Sequence, residues 1–480
     1  ELQVSYPDFY AYNYLFQGGE YMQKEEDGDV TILRGDNGTI KLGDGWFIME
    51  NAVALKEPER YFTTMDDYVA KIRFQLNKIF YNDGRESSFL STWEKLADDL
   101  EHRDFLGQQF LRKRNHKIIL EAVMPAVEDM ISDTEKAKYL YQYFSENMTW
   151  NEVHGGIWVK TTLDDAFEKK QGYYSEINYM LLACLLNLEI EAYPVLTSTR
   201  EHGKMYENYP LVDQFDHVMV YAILNGKPTI LDAGDEMRPF GFPRVDALNG
   251  RGWLMKKEPE WINIPAPRSG EAFSLELTLD GEGTALGKMK SAYRGYNAIP
   301  ERRHFKVNKE GGHWIKRLSE KYPEVKIAEA KCENLEDTEK TFKDEFEVLI
   351  PEAGQAIGDF IYFTPVIYSN FDENIFKLEK RHYPVDIPYT INEQYLLKLS
   401  IPEGYEIEDL PESAKVTLDG KSGFFSFLVE QKDEKTIQLV SRIRIQKLRF
   451  SPFEYPALKE LFDLVAEKCG EQIVLKKRGS

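Results

Sequence analysis

Lys170-Gln171-Gly172-Tyr173-Tyr174-Ser175-Glu176-Ile177-Asn178 is the stretch on which the reading of this chain turns. A glycine follows a basic turn, and a long helix is predicted to begin here. Ile177, Met180, Leu181, Cys184, Leu185 and Leu188 recur at i, i+3, i+4, i+7, i+8 and i+11. Leu182 and Leu186 widen that stripe, so burial on most sides is expected. Ser175 is the expected N-cap, and Glu176 suits the positive end of the helix dipole. A helix start aimed into a cleft is a frequent seat for a nucleophile, because the dipole stabilises an anion there.

Downstream the period changes to that of strands. Ala192 to Thr199 and Phe215 to Leu224 read as strands, the second apolar on both faces and expected to be central. Asn225-Gly226 is the hairpin-turn dipeptide, and Lys227 to Asp232 is the return strand. A two-residue turn pairs Leu224 with Lys227, which sets Asp232 opposite Met219. His217 and Asp232 are then diagonal neighbours on one face, with backbones about 7–8 Å apart. A carboxylate that orients an imidazole is two-thirds of a nucleophilic triad. The plainer reading is a half-buried strand histidine and an aspartate that merely ends a strand.

Upstream, residues 1 to about 80 read as strand-rich, with a turn at Asp36-Asn37-Gly38, a short strand from Thr39 to Leu42, and Ala70, Ile72, Phe74 and Leu76 alternating with polar residues. Helices are predicted after Ser91-Thr92-Trp93-Glu94, which has capping-box spacing, after Ser132 as far as about Asn147, and from Thr162 to Lys170. The Pro-containing stretch Pro259 to Pro267 reads as a linker. Beyond it strands dominate: Leu275 to Leu279, Phe342 to Ile350, Tyr395 to Ile401, Phe424 to Glu430 and Thr436 to Ile445. Helices are expected near Trp314 to Lys321 and from about Ala457 to Lys468. Helices on an antiparallel sheet, followed by a β-sandwich, make an α+β multidomain chain.

Bulk properties narrow the function. At 480 residues the chain has room for about three domains. Its net charge of −21 repels phosphate backbones and anionic lipid heads, which argues against nucleic acid and membrane surfaces as partners. No apolar run approaches the roughly 20 residues of a membrane span. Cys184, Cys332 and Cys469 are widely spaced and odd in number, so neither a disulfide framework nor a thiolate metal site is expected. No phosphate-binding, dinucleotide, HExxH or EF-hand motif is present, and no cofactor is expected.

The order of helix start, strand histidine and next-strand aspartate resembles the transglutaminase-like superfamily, whose core is papain-like. More closely, the chain resembles the large transglutaminase-like proteins of bacterial cell envelopes, in which β domains flank that core. The matching text is Gly172 to Asn178, Glu191 to Arg200, Phe215-Asp216-His217-Val218, Leu231-Asp232-Ala233-Gly234-Asp235, and in the tail Tyr383 to Pro388 and Ile401 to Tyr405. The resemblance implies a papain-like core between an N-terminal β domain and a C-terminal β-sandwich. The expected divisions are 1–87 for the later part of the first β domain, 88–258 for the core, 259–270 for the linker and 271–480 for the sandwich. It also implies an exported, periplasmic or cell-envelope location. The signal peptide is not in this chain, which begins at Glu1.

The resemblance breaks at the nucleophile. Where the family has Cys after Gly-Asn or Gly-Asp, this chain reads Gly172-Tyr173-Tyr174. Cys184 lies ten residues on, about 15 Å along the helix, and belongs to the apolar stripe. A phenol with a pKa near 10 is a poor nucleophile towards amides. His217 and Asp232 are retained. Three readings follow. The first is a pseudoenzyme that binds a peptide, glycan or protein partner. The second is a hydrolase or acyl transferase using Ser175 with His217 and Asp232. The third is a structural interaction module with a vestigial cleft, its Tyr174 hydroxyl bonded to His217. Trp150, Tyr173 and Ser175 are the expected binding residues. Arg200, His202 and Lys204 are expected at the cleft rim, with His154 and Trp158 in surface or packing roles.

Overall fold

The computed structural model describes residues 2–17, 22–26, 31–35, 38–49, 59–88 and 92–479. The chain is a multidomain α+β protein. At its N-terminal end Gly38–Met49 pairs with Leu2–Pro7, Met22–Glu26 and Thr31–Gly35. A second sheet joins Tyr10–Gln17, Lys71–Phe80 and Glu86–Ser88. The expected strand from Thr39 to Leu42 falls within Gly38–Met49, while Asp36, Asn37 and Ser91 lie outside the described residues. Thr92 caps the helix Trp93–Glu101, its hydroxyl accepting the N–H of Lys95.

The middle of the chain is built around one helix, Tyr174–Asn187. Every residue from Ser175 to Leu185 is buried, as an almost wholly apolar perimeter requires. It packs against helices Gly107–Leu111, Asp133–Asn147 and Leu163–Glu168, and against strands Ala192–Thr197 and His217–Leu224. Each fully buried leucine here contributes about 1.5–3 kcal/mol. Truncating Leu181, which is 0% exposed, to alanine would cost about 2–5 kcal/mol.

Beneath the helix lies a five-stranded antiparallel sheet. Its order is Lys227–Leu231, His217–Leu224, Ala192–Thr197, Arg251–Leu254, Glu260–Asn263. The central strand is therefore Ala192–Thr197, and His217–Leu224, expected there, lies beside it. Glu260–Asn263 corrects the expected linker at 259–270. Trp261 pairs with Trp253 and meets Trp93 edge-on at 5.3 Å, so ladder bonds and aromatic burial draw this proline-flanked stretch into the sheet. The hairpin turn has φ of 49° at Asn225 and 77° at Gly226, the left-handed pair that a tight I′-type turn needs. The turn also reaches outward. Asn225 Oδ1 accepts from the N–H and the hydroxyl of Thr134, at 3.0 and 2.8 Å, and so caps the helix Asp133–Asn147, whose own Ser132 supplies no side-chain cap.

Beyond residue 270 two antiparallel sets meet at one parallel pair to form an eight-stranded sheet. One set is Gly270–Leu279, Ala285–Arg294, Phe342–Ile350 and Lys326–Glu333. The other is Ile391–Ser400, Thr436–Ile445, Gly423–Asp433 and Ala414–Leu418. Gly270–Leu279 runs parallel to Ile391–Ser400. A smaller sheet of Gly354–Ile357, Phe360–Phe363, Ile473–Lys477 and Tyr405–Asp409 shares one core with it, together with helix Tyr455–Gly470. Helix Gly312–Ser319 matches the one expected near Trp314, and Ala298–Val307 precedes it unforeseen. Among the described residues no helix is long and apolar enough to cross a membrane.

Candidate functional site

Tyr174 is the first residue of the central helix, and the chain reaches it from a two-residue strand, Gln171–Gly172, paired in parallel with Thr149–Trp150. Tyr173, not Ser175, is the N-cap. The Tyr173 N–H donates to Glu176 Oε2 at 2.8 Å, while Glu176 Oε1 accepts from the Lys160 N–H at 2.9 Å. Glu176 thereby ties the helix start to the incoming loop. Ser175 lies one step inside the helix, 1% exposed, with its hydroxyl donating to the Trp158 carbonyl at 2.7 Å. That bond commits its proton to the backbone. The Tyr173 ring lies against the Gly155 backbone so closely that a Cβ there would come within 2.1 Å of it.

The hairpin register delivers the other half of the site. Pairing runs from Leu224 with Lys227 to Val220 with Leu231, and His217 opens its strand opposite Thr197. His217 Nε2 and Asp232 Oδ2 meet at 3.3 Å. Both are buried, at 3% and 0% exposure. With Asp232 as acceptor, Nε2 carries the proton and Nδ1 is the free nitrogen.

Asp232 serves more than the histidine. Its Oδ2 accepts from Arg238 Nη1 at 3.3 Å and from the Arg244 N–H at 2.8 Å, and its Oδ1 accepts from Asn178 Nδ2 at 3.1 Å. Burial alone would raise this carboxyl's pKa. The Arg238 guanidinium and His217 outweigh burial and hold it below the usual carboxylate range. Asn178, one turn along from Tyr174, also gives Nδ2 to the Val218 carbonyl and accepts the Ala233 N–H at 2.8 Å. It bolts the helix to both strands that carry the pair. Sequence reasoning missed Asn178, Arg238 and Arg244. An amide buried in an otherwise apolar helix was a usable signal for the first. The two arginines lie in loops that carry no period.

Tyr174 fills the space in front of His217. Its ring stacks on Trp150, with centres 4.9 Å apart at 26°, and meets His217 edge to face at 6.1 Å and 79°. The Arg244 guanidinium carbon lies 3.9 Å from the Tyr174 ring centre, a cation–π contact, with Asp246 holding the guanidinium from its other side. Gly234, at φ 108°, runs beneath the ring: a Cβ there would stand 3.1 Å from Tyr174 Cε1. The Tyr174 hydroxyl makes no hydrogen bond with His217, which corrects that expectation. Ring packing, not hydroxyl bonding, sets the orientation. Burial raises the Tyr174 pKa despite Arg244, so the phenol is neutral at physiological pH.

The remaining residues resolve simply. Trp150 is half-buried, bonded through Nε1 to the Val153 carbonyl, with exposed His154 on its edge at 5.3 Å. Arg200 pairs with Asp386 at 2.7 Å, and Lys204 gives its N–H to Asp67 and lays its ammonium over Tyr68. His202 bonds Ser198. Arg200 and Lys204, expected at the cleft rim, instead join the helical core to its neighbours, because the loop that carries them faces carboxylates on adjoining segments. Cys184, Cys332 and Cys469 are free, and burial pushes the Cys184 thiol far up.

Residues 359–475 match a family described as a domain of unknown function with solved structure (DUF3858). No curated protein matches the chain. A crystal structure described as a "putative protease" from Parabacteroides distasonis ATCC 8503 is similar to it, with a TM-score of 0.54 and 10% identity, over 99% of this chain and 71% of that one. At this identity the likeness speaks for the fold alone.

Proposed function

We propose that this protein is a catalytically silent relative of the transglutaminase-like proteins, a papain-like scaffold that acts by binding rather than by acyl transfer. The observation that carries the reading is the Tyr174 ring lodged between Trp150, Arg244 and His217 at the start of the central helix. In the enzymes that the sequence resembles, this point holds a thiol whose pKa the helix dipole and the histidine lower. Here it holds a neutral phenol, and the imidazole behind it is shielded from solvent. The His217–Asp232 pair is retained as a structural hydrogen-bond cluster, with Arg238 as the counter-ion of Asp232. Ser175 is a poor substitute nucleophile, since its proton is committed to a backbone carbonyl and its oxygen is buried.

In this reading the partner is a peptide, glycan or protein of the bacterial envelope, and the chain works in the periplasm or cell envelope, its core held between the flanking β domains. The test uses the whole chain with glutamine-containing peptides and a primary amine, followed by mass spectrometry for cleavage, deamidation and amine incorporation. No product is expected. Turnover that disappears in His217→Ala would overturn the reading.

A further inference from the structure

The outer face of the eight-stranded sheet carries a second feature, independent of Tyr174. Strand register places Arg294, Gly270, Asn392 and Arg444 in one row across four neighbouring strands. The next row on the same face is Ala292, Ala272, Gln394 and Arg442. Gly270, Ala272 and Ala292, with the amide side chains of Asn392 and Gln394 beside them, therefore form a floor between arginine walls. At strand spacing the backbones of Arg294 and Arg444 stand about 14 Å apart. Arg268 sits at one end, and the resulting trough measures about 320 Å³. At Gly270 the floor has no room for a side chain: a Cβ there would come 2.6 Å from Asn392 Nδ2 and 2.9 Å from the Asn392 carbonyl oxygen.

What sets this trough apart is its unneutralised charge. Further along the same face Lys290 pairs with Glu345 at 3.2 Å and Lys343 with Glu333 at 2.9 Å. Among the described residues, none of Arg268, Arg294, Arg442 and Arg444 forms an ion pair. Arg442 Nε is buried without any hydrogen-bond acceptor. The one acidic residue at the trough, Glu271, alternates to the opposite face, where Asn297 and Asn370 take its carboxyl at 3.1 and 2.9 Å. Arg442 lies over the Phe424 ring at 5.6 Å and Arg444 Nη2 reaches the Gln446 amide oxygen, but among the described residues no carboxylate neutralises any of the four guanidinium groups; in a chain of net charge −21 they are matched to oxyanions that they can grip with two parallel bonds.

We propose that this trough binds a compact ligand carrying two or more oxyanionic groups, phosphate or carboxylate. A ligand of this size bridges the Arg294 wall and the Arg442–Arg444 wall across the floor.

The test is calorimetric titration of the full chain at low ionic strength with two probes. Pyrophosphate represents phosphate, and digalacturonate represents a carboxylate-bearing glycan. At least one is expected to bind with Kd below about 1 mM. The double substitution Arg442→Gln with Arg444→Gln should weaken it about tenfold or more, and Arg294→Gln on the opposite wall should weaken it as well. Lys288→Gln, outside the trough, should change nothing. Binding of one probe alone identifies the source of the anion, and binding of both shows that the charge pattern is read. Circular dichroism confirms that the variants fold, and Arg294→Gln decides the matter if the double variant does not. Failure of both probes to bind, wall variants that bind as tightly as the parent, or an equal loss in Lys288→Gln would overturn the proposal.

Discussion

His217 Nε2 and Arg238 Nη1 each lie 3.3 Å from the same carboxylate oxygen, Oδ2 of Asp232. The aspartate is therefore both the hydrogen-bond acceptor of the buried imidazole and the counter-ion of the buried guanidinium, and its loss strands both. Asp232→Ala leaves the Arg238 guanidinium buried without a counter-ion and is expected to cost about 3–5 kcal/mol. Urea unfolding followed by tryptophan fluorescence measures it, and a loss below about 1 kcal/mol would contradict the structural role. The same carboxyl makes the core acid-sensitive. Its folded pKa is depressed, so its contribution is full above the unfolded value near 3.9 and fades as pH falls below it.

A second carboxylate pair has the opposite sign. Glu271 and Glu393 are direct neighbours on the parallel strands, and one amide, Asn370 Nδ2, donates to both at 2.9 Å. Burial, then the Glu393 and Glu301 charges, push Glu271 up to about 8, and burial also raises Glu393. The folded state holds the proton more tightly than the unfolded chain. The stabilisation is thus complete below about pH 4.3 and is lost as pH rises through about 8. Thermal midpoints between pH 5 and 9 should fall with rising pH, and Glu271→Gln should flatten that slope. An unchanged slope in the variant would show that this pair is not its source.

Gly234 tests how tightly the Tyr174 ring is held. At φ 108° an alanine is strained by about 1–3 kcal/mol, and its Cβ also presses on Tyr174 at 3.1 Å and on Ile177 Cδ1 at 3.4 Å. The expected outcome is coupling: Gly234→Ala costs less in a Tyr174→Ala background than alone. Equal costs would mean that backbone strain is the whole effect and that the ring is free to move aside.

How much of this was legible beforehand follows from which interactions are local. Asn225-Gly226 fixed the hairpin register, so His217 and Asp232 could be brought together by counting. The apolar stripe from Ile177 to Leu188 predicted the buried helix. The N-cap was misplaced by two residues because Glu176 closes the helix start through its side chain, which makes a serine unnecessary there. Arg238 and Arg244 reach Asp232 from irregular loops that no periodicity describes. The parallel pairing of Gly270–Leu279 with Ile391–Ser400 joins strands more than a hundred residues apart, with no turn to announce it. Net charge averages over every face, so −21 gave no sign of an arginine-walled trough.

The site retains what a thiol would need, and this is the sharpest test of the Tyr174 reading. Tyr174→Cys removes the ring that stacks on Trp150 and places a sulfur at the helix N-terminus, in front of His217, whose Nδ1 carries no hydrogen bond among the described residues. The dipole and the imidazole should bring that thiol below the ordinary value near 8.5. Iodoacetamide at pH 7 should then alkylate Cys at position 174 well ahead of the native thiols. Burial raises all three of those, Cys469 to about 12. Peptide mapping separates the sites. Adding His217→Ala should slow the alkylation about tenfold, since the imidazole partner is lost while the dipole remains. A cysteine at 174 no more reactive than Cys332, and indifferent to His217→Ala, would mean that the pair behind it is not poised towards this position at all.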